Sequence, residues 1–180
     1  MRVTGGIFRG RKIQGTPGHV TRPTTDKVRQ SIFNILMNDI EGTSVLDIFA
    51  GSGALGIDAI SRGAVSAVFI ESGRNPSEAI KANLRSLQLE EEVLVIDYRK
   101  ACELLARKRR KFDIIFADPP YEQVMPQQVI DTVLQYDLLS DNGLLIIEHK
   151  AGQAAESDRL QLLKKRKFGQ TEVTFYARRQ

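Results

Sequence analysis

Gly51-Ser52-Gly53-Ala54-Leu55-Gly56 stands directly after an apolar strand-like run and directly before a helix-like one, and few folds accommodate that order. In such a turn the first glycine permits a sharp reversal and the second lets a ligand approach the backbone. The third lets the helix pack closely on the sheet. The rest of the chain fits this reading. From residue 44 the pattern predicts strands over Val45–Phe49, Ala67–Ile70, Val93–Ile96, Phe112–Ala117 and Leu144–Ile147. Between them it predicts helices over Leu55–Ser61, Ala101–Ala106 and Val129–Leu134. A further helix opens at Asn75-Pro76-Ser77-Glu78, with Asn75 as cap and Ile80, Leu84 and Leu87 as its buried face. Alternating units with apolar strands predict an α/β fold built on a mostly parallel, doubly wound sheet with right-handed crossovers. Leu160–Phe168 and Glu172–Ala177 flank Gly169 with no helix between them, which predicts an antiparallel hairpin at one edge.

The first fifth of the chain has a different character. Residues 2–20 are glycine-rich with short β-prone pieces at Arg2–Thr4 and Lys12–Gln14, and they predict a small hairpin or extended arm. Arg22 before Pro23 is biased to extended backbone. Thr24 or Thr25 can then cap a helix carrying Val28, Ile32, Ile35 and Leu36, and Gly42 ends the unit. This divides the chain into an N-terminal arm and helix, 1–42, and a larger α/β domain, 43–180. Residues 1–36 hold seven of the 26 basic residues, Arg2, Arg9, Arg11, Lys12, Arg22, Lys27 and Arg29, against Asp26 as their single acid. The formal net charge of +4 is therefore concentrated in the arm. A basic arm on a near-neutral body suits a polyanion such as nucleic acid, although a solvated segment that aids solubility has the same composition.

Several classes are excluded or disfavoured. The longest aliphatic run, Leu144 to Ile147, is far too short to cross a membrane, and the first residues show no apolar signal segment. One cysteine, Cys102, and two histidines leave a His/Cys zinc site short of ligands, so no metal is expected. The lone cysteine suits a reducing compartment, which predicts a cytoplasmic protein.

Acids follow the strands. Glu71 lies twenty positions past Gly51, where it can accept hydrogen bonds from both hydroxyls of a ribose. A nicotinamide dinucleotide and S-adenosylmethionine both carry such a ribose. Asp47 points to the second: a carboxylate there repels a pyrophosphate but suits a cationic amino-acid end. Asp47 can equally bond local backbone N–H groups. Asp97, after the third strand, can accept from an adenine amino group or cap the next helix.

Asp118-Pro119-Pro120-Tyr121 follows the fourth strand, and in a doubly wound sheet that strand end faces the glycine turn. Two prolines fix the backbone and remove two donors, leaving the Asp118 carboxylate and the Pro119 carbonyl as rigid acceptors. An exocyclic amine can donate one hydrogen to each. Its lone pair then faces an electrophilic methyl, and the acceptors relieve the developing positive charge. Tyr121 offers a flat face on which an extruded base can stack.

With Asp47-x-Phe49-Ala50-Gly51-Ser52-Gly53, this tetrapeptide resembles the class I S-adenosylmethionine-dependent amino-methyltransferases, whose core is Rossmann-like. The N-terminal Met1-Arg2-Val3-x-Gly5-Gly6, Gly10-Arg11-Lys12 and Thr21-Arg22-Pro23-Thr24-Thr25-Asp26-Lys27-Val28-Arg29 are similar to those of the RsmD family, bacterial methyltransferases of a guanine N2 in 16S ribosomal RNA. The likeness extends through Ser61-Arg62-Gly63-Ala64 to Phe168-Gly169 and Phe175-Tyr176. It implies S-adenosylmethionine as cofactor, held by Asp47, Phe49, Ala50, Gly51, Ser52, Gly53, Glu71, Ser72, Asp97, Tyr98 and Asp118. It implies Asp118, Pro119, Pro120 and Tyr121 around the target base, with Arg9, Arg11, Lys12, Arg22, Lys27 and Arg29 on the RNA. It further implies 16S rRNA, free or in the small subunit, as partner of a protein expected to be monomeric. Gly73 departs from the family pattern, which usually carries Asp or Asn two positions past Glu71. An adenine-N6 DNA methyltransferase shares this chemistry, but 180 residues leave little room for a target-recognition domain. A nicotinamide oxidoreductase shares the glycine turn and leaves Asp118 to Tyr121 unexplained.

The run Arg107-Lys108-Arg109-Arg110-Lys111 precedes the fourth strand and is expected on the side away from the crevice, as a solvated helix end. His19 and His149 are assigned to surface or structural roles, and Cys102 to a small buried position.

Overall fold

The central strands are apolar on both faces, so the sheet needs cover on both sides. The computed structural model, which describes residues 1–15 and 23–179, shows this arrangement. Its strands are β1 (Ser44–Ile48), β2 (Ser66–Ile70), β3 (Glu92–Leu94), β4 (Phe112–Ala117), β5 (Leu139–Lys150), β6 (Leu160–Phe168) and β7 (Thr171–Arg178). They form one sheet in the order β3-β2-β1-β4-β5-β7-β6. The first five are parallel, and β7 runs antiparallel to both β5 and β6. The helices are α1 (Pro23–Leu36), α2 (Ala54–Ser61), α3 (Arg74–Leu87), α4 (Tyr98–Arg107) and α5 (Pro126–Gln135). One core cluster joins α1, α2 and α3 to one sheet face, and a second joins α4 and α5 to the other. The expected doubly wound sheet with its antiparallel edge hairpin is therefore present. Among the described residues no helix is long and apolar enough to cross a membrane.

Two helices begin earlier than their sequences suggest. Gly73, not Asn75, caps α3, because the Gly73 carbonyl already accepts from the Ser77 N–H at 3.0 Å. Asp97 caps α4, accepting from the Arg99 N–H at 3.0 Å, so that helix starts three residues before Ala101. The side chains of Thr24 and Thr25 lie outside the described residues.

Residues 1–13 form the expected small hairpin, closed by an antiparallel bridge between Arg2 and Lys12. Val3, Ile13, Val28, Ile32, Phe33, Leu36 and Ile40 all enter the first core cluster, so the hairpin and α1 share their packing with the sheet. The hairpin docks on α2: the Thr4 N–H donates to Asp58 Oδ1 at 2.7 Å and the Phe8 N–H to Ser61 Oγ at 2.9 Å.

Gly56 makes the close approach expected of it. A Cβ there would lie 2.4 Å from Phe69 Cε1, and Phe69 is fully buried in β2 with nowhere to retreat. Gly56→Ala is therefore expected to destabilise the protein by about 1–2 kcal/mol, since overpacking outweighs the gain in helix propensity. Urea denaturation tests this, and a variant as stable as wild type would remove close packing as the reason for the glycine.

Candidate active site

The strand order reverses between β1 and β4, so the crevice lies at their carboxyl ends. The chain leaves β1 through three left-handed residues, Phe49 (φ 62°), Gly51 (φ 58°) and Gly53 (φ 77°), and enters α2 at once. Phe49 is not a glycine and holds this conformation at a cost of about 1–2 kcal/mol. Its ring packs against Tyr98 with centroids 4.7 Å apart. Nothing lies within 4 Å of where a Gly51 side chain would stand, so that peptide is open to a ligand.

Two carboxylates hold this turn. Asp47 is buried and its Oδ2 accepts from the Gly56 N–H at 2.9 Å, the local role that its position in the sequence allowed. Burial pushes its pKa up to about 7, the Gly56 hydrogen bond opposes that, and Glu71 adds repulsion. Glu71 bridges two loops, with Oε2 accepting from the Gly51 N–H at 2.9 Å and Oε1 from the Gly73 N–H at 2.7 Å. Each oxygen retains a further lone pair for a ribose hydroxyl. Asn83 on α3 steadies the same turn, donating to the Ser52 carbonyl at 2.9 Å and pairing with Gln14 through both its amide atoms.

Across the crevice, Asp118 follows β4 directly, in register with the end of β1. The carbonyl of Pro120 accepts from the Gln123 and Val124 N–H groups at 2.9 and 3.0 Å, whereas the Pro119 carbonyl has no partner among the described residues. The Tyr121 hydroxyl donates to Glu148 Oε1 at 3.1 Å and lies 3.5 Å from Thr171 Oγ1, which fixes the ring from behind. Protein packed around Asp118 raises its pKa well above the usual range, and Glu148 and Asp47 add to the shift. The side chain nevertheless remains open to water at the crevice. Burial raises Glu148 as well, while burial and the Glu148 charge raise Tyr121.

At the carboxyl end of each of the five parallel strands stands an acid: Asp47, Glu71, Asp97, Asp118 and Glu148. Among the described residues none of these is ion-paired with a Lys or Arg side chain within 4 Å. Such a donor set repels a pyrophosphate and fits a ligand that carries positive charge. S-adenosylmethionine, with a sulfonium, an ammonium and a ribose, meets that requirement, and a nicotinamide dinucleotide does not.

The structure gathers Asp47, Phe49, Ala50, Gly51, Ser52, Gly53, Glu71, Ser72 and Asp118 to Tyr121 around this crevice. Two expectations change, and Asp97 takes one of the two roles its position offered, with Oδ1 capping α4. Tyr98 is a core residue, 4% exposed, that supports Phe49 from below and does not line an open surface. Arg29, expected on RNA, is 5% exposed and paired with Asp58 at 2.9 Å, so its guanidinium is committed to the interior. Arg9, Arg11, Lys12 and Lys27 are exposed, although Arg11 donates to the Ser86 carbonyl at 3.1 Å. Arg22 and His19 lie outside the described residues. Cys102 is buried with its thiol pushed up to about 12, and His149 is buried against Thr174 at 2.7 Å. Sequence reasoning missed Glu148, Thr171 and Asn83. Glu148 had a signal, for it ends an apolar strand just as Glu71 and Asp118 follow theirs. Among the described residues no cluster of His, Cys, Asp or Glu is placed to hold a metal.

Known proteins share this sequence pattern and fold. A family model described as conserved hypothetical protein 95 matches residues 1–177. A Bacillus subtilis protein named putative rRNA methyltransferase YlbH is 35% identical over 183 residues, covering 99% of this chain and 100% of the relative. Ribosomal RNA small subunit methyltransferase D of Escherichia coli K12 is 37% identical over 148 residues, 82% of this chain and 74% of the relative. Among solved structures, the putative methyltransferase yhhF from Escherichia coli superposes with a TM-score of 0.86 at 35% identity, covering 99% of this chain and 97% of that one. With a match running from the hairpin to the last strand, this chain belongs to the conserved hypothetical protein 95 family, the family of the ribosomal RNA small subunit methyltransferases D.

Proposed function

We propose that the protein is an S-adenosylmethionine-dependent methyltransferase that acts on the exocyclic N2 of a guanine in 16S ribosomal RNA. The observation that carries this reading is the pairing of an unpartnered carboxylate and carbonyl, Asp118 and Pro119, with a glycine turn ringed by uncompensated acids. The names of its relatives point to ribosomal RNA of the small subunit as the substrate.

When bound, the cofactor supplies an electrophilic methyl group on a sulfonium. Glu71 accepts from the ribose hydroxyls, and the opened Gly51 peptide gives the ligand room to approach. Asp118 and the Pro119 carbonyl each accept a hydrogen bond from the amine and turn the nitrogen lone pair toward the methyl. The one surplus proton of the methylated nitrogen leaves to Asp118, and Tyr121, held by Glu148, supports the ring. These acceptors also stabilise positive charge as it appears on the nitrogen. The transfer needs neither a metal nor a covalent enzyme intermediate. The exposed cations Arg9, Arg11, Lys12 and Lys27 contact phosphates, together with Arg22. We place the enzyme in the cytoplasm as a monomer, acting on 16S rRNA within the small subunit or an assembly intermediate.

The test is transfer of tritiated methyl from S-adenosylmethionine, in EDTA, to small subunits purified from a strain lacking this protein. Label recovered as N2-methylguanosine is the expected result. Label in N6-methyladenine of a DNA control would replace this reading with the DNA one, and no transfer to either substrate would defeat it.

A further inference from the structure

β6 is the outermost strand, with one edge unpaired among the described residues, and four of its nine residues are consecutive cations: Lys164, Lys165, Arg166 and Lys167. Lys165, Arg166 and Lys167 are exposed and Lys164 is half-buried. Among the described residues none of the four side-chain nitrogens lies within 4 Å of a carboxylate oxygen, although Lys167 stands opposite Glu172 on β7. The run at the other side of the molecule behaves differently. There Arg107 pairs with Glu103 at 2.6 Å, Lys108 and Arg110 with Glu92 at 3.3 and 3.4 Å, and Lys111 with Asp137 at 2.8 Å. Two cationic runs of similar density thus differ in kind. Four of the five cations in one run are ion-paired within the fold, and none of the four in the other is.

The run without ion pairs is aimed at the crevice. Because β7 is antiparallel to both neighbours, β6 runs parallel to β5 and ends on the side where Asp118 and Tyr121 stand. Its last residue, Phe168, pairs with Thr171, whose hydroxyl lies 3.5 Å from that of Tyr121. Lys167 adjoins Phe168 along the strand but faces the other side, whereas Arg166, opposite Val173, shares the face of Thr171 and Glu148 that backs the tyrosine. Lys164 and Arg166 oppose Phe175 and Val173, which belong to the cluster beneath α1, so these two cations stand on the α1 side of the sheet. Lys165 and Lys167 stand on the other. Over a rise of roughly 10 Å the strand presents charge to both sides of its free edge.

We propose that β6 is a second RNA-contacting surface, a cationic track that holds phosphates flanking the target base and leads them to Tyr121. The proposal rests on the RNA methyltransferase reading above and adds to it a contact on the edge of the sheet remote from the N-terminal hairpin. Lysines on an edge strand also prevent strand addition by another chain. That role does not call for a run ending beside the catalytic loop.

The experiment compares filter binding to a naked 16S rRNA transcript, between about 50 and 200 mM salt, for three forms of the whole protein. They are wild type, a variant with Lys164, Lys165, Arg166 and Lys167 all changed to Ser, and a control with the four ion-paired cations Arg107, Lys108, Arg110 and Lys111 changed to Ser. The β6 variant is expected to bind at least about tenfold more weakly, with a salt slope lower by about 2–3, while the control changes far less. Retained binding of radiolabelled S-adenosylmethionine shows that the variant is folded. A second variant, with Lys164, Lys165 and Lys167 changed to Arg, is expected to bind RNA as wild type does, because charge is kept. Unchanged affinity and slope in the β6 Ser variant would overturn the proposal. So would equal weakening in the control, which would make net charge the cause, or self-association with RNA affinity unchanged, which would make edge protection the role. Binding is read without methyl transfer, so failure of wild type to methylate would count against the function alone.

Discussion

With Asp118 changed to Ala, kcat for methyl transfer is expected to fall by about 10²–10³-fold, the usual cost of losing one preorganised electrostatic group in an active site. The Pro119 carbonyl remains, but one acceptor leaves the amine free to rotate and its developing charge half compensated. If Asp118 to Tyr121 were only a rigid turn ending β4, the variant would lose stability with little change in single-turnover rate. Single-turnover methyl transfer beside a urea melt separates the two. A pH profile adds a second check. The working form of Asp118 is the carboxylate, and its pKa is raised by its surroundings, by Glu148 and by Asp47. Activity should therefore rise with pH through a point above the ordinary carboxylate range. Glu148→Gln removes one repelling charge while its amide oxygen can still accept from Tyr121, so the acid limb should move to lower pH. A limb that stays in place would mean that Asp118 does not set it.

The site was legible in the chain wherever a residue type has one good use at a strand end. Glycines 51, 53 and 56 announced a turn, and the structure gives the first two left-handed backbone and the third a ring pressed against it. Acids after apolar strands announced the crevice, and the same rule extended to the fifth strand would have found Glu148. Helix starts were legible only in part: Asp97 caps α4 as its position allowed, whereas α3 is capped by the carbonyl of Gly73, two residues before the favoured Asn75. Burial of charge in the arm was legible in its placement and not in its pairing. Arg29 stands two positions from the exposed Lys27, yet it also lies three, four and seven positions before the buried Ile32, Phe33 and Leu36, so helical spacing puts it on the apolar stripe of α1. Its partner, Asp58 on α2, is a tertiary fact that no local pattern shows. Tyr98 is similar: next to a crevice acid in sequence, it turns inward because α4 begins there and carries it to the core side.

Arg29 is where the difference between an RNA contact and a structural cation has its largest measurable consequence. Its side chain is 6% exposed, lies 2.9 Å from Asp58 Oδ2, and donates to the Arg2 carbonyl at 2.6 Å. Asp58 is fully buried and its other oxygen accepts the Thr4 N–H, so this pair pins the N-terminal hairpin between α1 and α2. Arg29→Ala leaves that carboxylate without its cation and is expected to cost about 3–5 kcal/mol. The loss should depend on pH in a definite direction. Asp58 already has a raised pKa from burial, with Arg29 opposing the rise, so removing Arg29 raises it further. A carboxyl that binds its proton more tightly when folded loses stability as pH climbs above its unfolded pKa, about 3.9. The penalty in Arg29→Ala should therefore be full near neutrality and shrink as pH falls toward that value, where Asp58 becomes a neutral acid. Adding Asp58→Ala to the variant removes the buried charge, and stability should partly return although the Thr4 hydrogen bond is lost. Urea melts of the single and double variants at several pH values measure all of this. A phosphate-binding Arg29 would instead leave the melts unchanged and flatten the salt dependence of RNA binding, which would return it to the RNA surface from which its burial removes it.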